Sequence, residues 1–417
     1  MDNINERLTD DMLVEILHRM PCKFAARCKC VCKRWSSLLS TRFFHSRFDL
    51  RVAQMIGKHH LQRFGVTVSA PNHQVLITPE VIPPGLHEFT LDFLPDVYKR
   101  KKKDCVVGSC NDLFLCSTKG SKYCVCNPFT RQWISLPPVS CPKSLVRIGF
   151  VCDPFGHTQE KGKGKEKEER RGGNTTTFKV VRLFRFDYII EGSSELDMEF
   201  FCSEKWEWEC RVVVLPPERR LRYVGFPYWP AVPYKGCLHW IVSGKDILVF
   251  DPYNIDINSN EICRLIGTPG DANPRCSLDA LGVCCGCLRI SQWASTGVLS
   301  IWELDDNEPR ESDGCPWGLV HRVNMREEIS WKKKGCRPPG WVNKDLLKAQ
   351  VIAFHPYDSN VVYLRYPKSV LECDFGAGIL KVAARRPCEE FYGAGRVFTL
   401  VSPTWPTPMP RQCPLPL

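Results

Sequence analysis

The rhythm of apolar residues along this chain changes once, near residue 45. Within 8–44, Leu13, Ile16, Leu17 and Met20 recur at i, i+3, i+4 and i+7, which puts four apolar side chains on one helix face. Thr9 can cap this helix, Asp10 and Asp11 suit the positive end of its dipole, Leu8 can staple onto Leu13, and Pro21 ends it. A second stripe runs through Phe24, Cys28, Val31 and Trp35 at spacings of four, three and four, and Leu38 and Leu39 carry it into a third short segment. Three short helices over about 40 residues bury only a small core, so part of their apolar face is expected to meet a partner.

Beyond residue 45 the helical period is lost, with 344–349 as the one exception. Short apolar or alternating runs take over at 105–107, 123–126, 178–184, 212–215, 247–250, 298–304 and 361–364. Each is bounded by Gly, Pro, Asn or Asp, which predicts strands joined by tight turns. An aromatic residue coupled to a polar or proline-containing turn recurs at 127–133, 203–206, 250–253, 302–306 and 354–357. Asp251 and Asp305 lie 54 residues apart, and Asp305 and Asp358 lie 53 apart. A period near 50 in a strand-only region fits a kelch-like β-propeller, whose four-stranded blades pack on their neighbours. The expected fold class is therefore α+β and multidomain: a small three-helix unit at 1–48, a connecting segment at 49–104, and an all-β propeller of about six or seven blades at 105–400. Within the propeller, 157–177 is a disordered basic loop, too polar and glycine-rich to pack, and 401–417 is a proline-rich tail. Trp133, Trp206, Trp240 and Trp302 are expected between blades.

Composition narrows the function classes. Hydrophobic residues at 43% and charged residues at 25% describe a folded chain, and 417 residues exceed one ordinary core. The net charge of +11 is partly concentrated at 99–103 and 161–171, which read as solvated loops, so nucleic acid is not an expected partner. There are 24 cysteines and no N-terminal apolar stretch for a signal or a membrane span. The thiols are thus expected reduced, in nucleus or cytoplasm, away from membranes. The sole Cys-x-x-Cys is 284–287, without a second pair at finger spacing, and the ten histidines are scattered. No metal, no cofactor and no catalytic residue is expected. Two alternatives carry less support: a kelch-like propeller enzyme, which lacks a convergent ligand set or acid/base pair, and a basic nucleic-acid-binding propeller.

Leu8-Thr9-Asp10-Asp11-Met12-Leu13-Val14-Glu15-Ile16-Leu17, with Pro21 and the stretch from Arg27 through Cys30-Val31-Cys32-Lys33-Arg34-Trp35 to Leu38, resembles the F-box. Thr9 departs from it, since the family usually has proline there, and threonine can substitute as a cap. The remainder resembles the plant F-box-associated domain. The resemblance rests on Gly108-Ser109-Cys110-Asn111-Asp112-Leu113, Cys126-Asn127-Pro128-Phe129-Thr130, Gly236-Cys237-Leu238-His239-Trp240, Phe250-Asp251-Pro252 and Ala353-Phe354-His355-Pro356. Asp112 replaces the usual glycine of the first motif, a change that turn geometry tolerates.

The resemblance implies a non-catalytic substrate-recognition subunit of an SCF-type E3 ubiquitin ligase. A Skp-family adaptor, and through it a cullin-RING ligase, would dock on Leu8, Thr9, Leu13, Ile16, Leu17, Pro21, Phe24, Val31 and Trp35. The target protein would be held by propeller loops at residues this sequence does not name.

Overall fold

The computed structural model describes residues 8–20, 22–41, 44, 64–70, 73–77, 91–98, 106–118, 121–140, 146–153, 176–184, 195–214, 230–242, 246–254, 263–269, 276–305, 316–325, 330–331, 349–366, 369–385, 396–401, 407 and 409. Three short helices open it: α1 (Asp10–Leu17), α2 (Cys22–Cys28) and α3 (Lys33–Leu38). Thr9 is extended and its hydroxyl accepts the Met12 amide at 3.3 Å, so threonine does cap α1. Leu13, Val14 and Leu17 pack with Ala25, Leu39 and Phe44, while Leu8, Met20, Cys28, Trp35 and Leu38 close over them. Arg34 ties the start of α3 to the start of α1, reaching Asp10 Oδ1 and the Leu8 carbonyl.

The stripe through Phe24, Cys28, Val31 and Trp35 does not run along one helix. The chain breaks between α2 and α3, where extended Cys32 caps α3 by accepting the Trp35 amide on its sulfur. Val31 and the neighbouring cysteines are poor helix formers, and nothing in their spacing reveals the break.

The remaining regular structure among the described residues is strand. β1 (Phe64–Ala70) and β2 (His73–Ile77) come first, then β3 (Val106–Cys110), β4 (Leu113–Thr118), β5 (Lys122–Asn127) and β6 (Gln132–Ser135). The next group is β7 (Val146–Asp153), β8 (Thr177–Phe184), β9 (Glu195–Cys202) and β10 (Glu207–Val214). It is followed by β11 (Val232–Tyr234), β12 (Cys237–Ile241), β13 (Asp246–Phe250) and β14 (Cys263–Gly267). A fourth group holds β15 (Cys276–Cys284), β16 (Cys287–Ala294), β17 (Val298–Leu304) and β18 (Trp317–Asn324). The last strands are β19 (Ser330–Trp331), β20 (Gln350–Phe354), β21 (Val361–Tyr366), β22 (Ser369–Asp374), β23 (Ile379–Arg385) and β24 (Arg396–Val401).

Each group of four forms an antiparallel meander, and β20–β23 form a fifth that gains β19 in parallel on its outer strand. β24 pairs with β1, and β1 with β2, in a three-stranded sheet. Strands β3, β7, β11, β15, β20 and β24 are innermost, and each packs on the next around a closed ring. The expected six or seven blades are thus met by five full blades and one three-stranded sheet.

The blades pack face to face, so their middle strands are covered on both sides and read as unbroken apolar runs. Leu113-Phe114-Leu115-Cys116 on β4 is an example, buried throughout. Core clusters lie between neighbouring sheets, as where Phe398 of β24 meets Val106, Phe114, Cys116 and Cys124. Close approach is set by glycines on inner strands. A Cβ on Gly108 would lie 2.8 Å from Phe150, on Gly149 2.5 Å from Trp240, and on Gly282 2.9 Å from Phe354, in each case a residue of the following blade.

Several boundaries differ from the sequence expectation. The segment 49–104 is more than a connection, because β1 and β2 lie in it, and Leu94 and Tyr98 are buried against the β3–β6 sheet. The basic loop stops short of 177, since Thr176 is buried and Thr177 opens β8; residues 157–175 lie outside the described ones. Val401 belongs to β24 and Thr407 is buried, so the tail is partly packed. Of the helical period at 344–349, only Ala349 is described, leading into β20. Trp206 and Trp302 pack between sheets and Trp240 is fully buried, but Trp133 on outer strand β6 is 41% exposed.

The repeat is also misphased. Turns at Asn127, Ser203, Asp251 and Asp305 follow the third strand of their blades, whereas His355 to Asp358 follows a first strand. The matching third-strand turn of that blade starts at Asp374, whose Oδ1 accepts the Ala377 amide at 2.9 Å. Equal spacing to Asp358 came from loop lengths, not from equivalent positions.

Candidate adaptor-docking and target-binding surfaces

The nine residues assigned to adaptor docking separate by burial. Leu13 and Leu17 are interior, at 1% and 0% exposure, and hold the three helices together. They offer a partner no surface, so their assignment as contacts is corrected. Leu8 and Trp35 are half-buried against the same core, Thr9 serves as the cap, and Pro21 lies outside the described residues.

Ile16, Phe24 and Val31 are exposed at 48%, 51% and 56%, and Met12, which the sequence reading passed over, joins them at 50%. Met12 and Ile16 are four apart and adjoin each other on α1, beside the buried stripe of Leu13 and Leu17. Helical spacing had grouped Ile16 with Leu13 and Leu17, although a 3.6-residue period places it on the flank. Around half of each of these four side chains remains to be buried, on the order of 1 kcal/mol apiece.

On the ring, the ends of the first and third strands of every full blade share one edge, because the meanders are antiparallel. Phe114 pairs with Cys126, for instance, so the β3–β4 turn and the Asn127 turn are neighbours. Contacts between blades gather there. The Cys152 amide donates to Cys110 Sγ at 3.3 Å, joining β7 to β3. Lys179 Nζ donates to Glu204 Oε2 at 2.9 Å and to Cys202 Sγ at 2.8 Å, and stands over the Tyr253 ring. The Cys284 thiol donates to the Asp358 carbonyl, and Arg289 Nη1 to the Ser359 carbonyl at 3.1 Å.

The Cys-x-x-Cys at 284–287 is a two-residue hairpin turn. Cys284 pairs with Cys287, and Cys285 and Gly286 between them have φ of 50° and 82°. Among the described residues, no group of three or more His, Cys, Asp or Glu is placed to hold a metal ion, and no helix is long and apolar enough to cross a membrane.

One polar group on this edge is held by the C-terminal segment. Asp112 and Asn127 have no exposed surface, and Asn127 Nδ2 donates to Asp112 Oδ2 at 2.8 Å. The Thr407 amide donates to the same Oδ2 at 3.0 Å, and the Thr407 carbonyl accepts from Asn127 Nδ2 at 3.3 Å. Asn127 Oδ1 accepts the Phe129 and Thr130 amides and so shapes its own turn. Burial pushes the Asp112 carboxyl above its ordinary value, against the opposing pull of Thr407 and Asn127.

Comparison with known proteins agrees with both parts. The F-box domain family matches residues 6–47, and the family described as F-box protein At3g26010-like, beta-propeller matches residues 85–376. F-box protein At5g49610 of Arabidopsis thaliana is 26% identical over 338 residues, covering 78% of this chain and 82% of that one. The putative F-box/kelch-repeat protein At1g15680 of the same plant is 24% identical over 403 residues, covering 87% and 80%. Among solved structures, apo AztD from Citrobacter koseri covers 82% of this chain and 98% of its own at 10% identity, with a TM-score of 0.35, too low to bear on the fold. With an F-box at its start and a matching β-propeller over most of its length, the chain belongs to the F-box proteins of the At3g26010-like β-propeller family.

Proposed function

We propose that this chain is the substrate-recognition subunit of an SCF-type E3 ubiquitin ligase. A Skp-family adaptor, and through it a cullin-RING ligase, binds the F-box, and a target protein binds the turn-bearing edge of the ring. The observation that carries this reading is the apolar set Met12, Ile16, Phe24 and Val31, left exposed by helices whose own core is already filled. Apolar anchors on short helices suit recognition by a partner's helices. The isopeptide chemistry then belongs to other subunits, and this chain contributes proximity by holding the target near a carried thioester. Most cysteines among the described residues are buried thiols, which suits the reducing nucleus or cytoplasm.

Replacing Ile16 and Phe24 together by Ser tests docking. Losing two half-buried anchors should weaken adaptor capture by about 30-fold, equivalent to about 2 kcal/mol, while the melting curve of the chain stays unchanged. Leu17→Ala is the contrasting variant: it should cost about 2–5 kcal/mol in F-box stability by leaving a cavity. Full-strength capture of the adaptor by the folded Ile16/Phe24 variant would refute the docking assignment.

A further inference from the structure

Thr407 is held through its main chain, and its side chain also interacts with Asp112. Asp112 accepts its N–H and Asn127 donates to its C=O, so the two side chains read both main-chain groups of one residue in the way a strand neighbour would. Two residues on, Met409 is half-buried against the apolar cluster formed by the β3–β6, β7–β10 and β11–β14 blades. A polar clamp on one residue followed by an apolar seat two positions later is how an extended peptide is bound.

The clamp is also incompletely used. Asp112 is fully buried, yet its Oδ1 has no hydrogen-bond partner. A buried carboxylate with a spare oxygen has capacity for one more donor, and an occupant that supplied it would be held better than the present one. The contacts from Asp112 and Asn127 reach a residue 295 and 280 positions away, and Thr407 lies beyond the last described strand of the ring and in none of the described sheets.

We propose that Asp112 and Asn127 form a peptide-binding clamp on the ring edge, filled in cis by the segment carrying Thr407 and Met409, which acts as an exchangeable plug. The ligand class is an extended peptide that presents one main-chain N–H and C=O pair to the clamp, a second donor to Asp112 Oδ1, and an unbranched apolar side chain two residues later. Target binding and plug release are then the same event. The clamp deepens the receptor reading by naming where on the ring edge a target is held, but its test involves no adaptor, so it can fail while docking stands.

The probe is a fluorescent peptide of residues 402–417, titrated by anisotropy against the full chain, a chain ending at Val401, and full-chain Thr407→Pro, which lacks the amide hydrogen that Asp112 accepts. The chain ending at Val401 should bind one equivalent, and the full chain at least tenfold more weakly. Thr407→Pro should bind nearly as well as the shortened chain. Asp112→Ala in the shortened chain should lower affinity at least tenfold. A folded shortened chain that ignores the peptide, or one indifferent to Asp112→Ala, overturns the proposal. If shortening prevents folding, the Thr407→Pro chain decides, and failure of that folded variant to bind the peptide overturns it equally.

Discussion

Arg182 has no exposed side-chain surface and is ion-paired to an equally buried Glu199. Its guanidinium lies 5.1–5.8 Å from the ring centres of Phe184, Tyr123 and Trp208, and the second Glu199 oxygen accepts the Ser140 amide. Burying a charge pair costs less where its charges are compensated, and here aromatic faces supply part of the solvation that water would give. The sequence marked 178–184 only as a strand, because nothing in Lys179-Val180-Val181-Arg182 reveals which side chains turn inward. Asp112 was read as a tolerated turn residue, but the left-handed position is Asn111, at φ 52°, and Asp112 is a buried ligand of a segment far along the chain. The cysteines were legible: most described ones are buried as small apolar groups, as their number without metal spacing implied. Burial pushes Cys263, Cys284 and Cys373 up to about 12, the last with added repulsion from Asp374 and Glu372. An unfolded chain releases thiol protons near pH ~8.5, whereas the folded one keeps these, so stability should fall as pH rises from about 9 towards 12. Urea midpoints should therefore drop between pH 8 and pH 10, and at pH 8 native alkylation should mark exposed Cys30, Cys210 and Cys285 but spare Cys263 and Cys373.

Strands were the easiest elements to find, because doubly covered ones are continuous apolar runs between turn residues. Phase within a blade was not, since loops between equivalent strands differ in length and only pairing shows that Asp374, not Asp358, matches Asp251. The helical stripe failed for a related reason, as periodicity counts positions without detecting the break at Cys32. What spacing missed altogether is the use of glycine between blades. Tryptophans were expected to separate the sheets, yet the inner strands make room for Phe150, Trp240 and Phe354 by omitting a side chain at Gly108, Gly149 and Gly282. Gly149→Ala should therefore cost about 1–3 kcal/mol through overpacking, visible as a lower urea midpoint. Gly318→Ala, whose Cβ would meet only a backbone oxygen at 3.9 Å, should stay within about 0.5 kcal/mol of the parent.

For the whole molecule, the division into an F-box and a propeller was legible, and the point of division was not. β1 and its hairpin neighbour β2 lie in what read as a connection; the strand that ties them to the ring, β24, pairs with β1 from far away in sequence, and no local pattern announces a pairing of that range. Ser109 Oγ donates to the Thr399 carbonyl at 3.0 Å, adding a side-chain tie between the β3 blade and the closing sheet. The ring therefore needs residues on both sides of the 105 boundary. A chain starting at residue 60 should melt as one cooperative unit close to the parent ring. One starting at 105 lacks β1 and β2 and should melt at least ~5 °C lower, a loss of about 2–3 kcal/mol at this length. Equal melting temperatures would show that the three-stranded sheet adds nothing to closure.

Pairing β1 with β24 also fixes an order of events during synthesis. The first strand of the ring leaves the ribosome early and must wait for about 300 further residues before its partner exists, on the order of tens of seconds at ordinary elongation rates. During that interval a strand edge stands open and the first and the newest blade each have an uncovered face, while the short-range helices of the F-box can already have formed. The F-box is thus complete well before the ring can close, and chaperone demand should peak late in translation, falling only when Arg396–Val401 emerges.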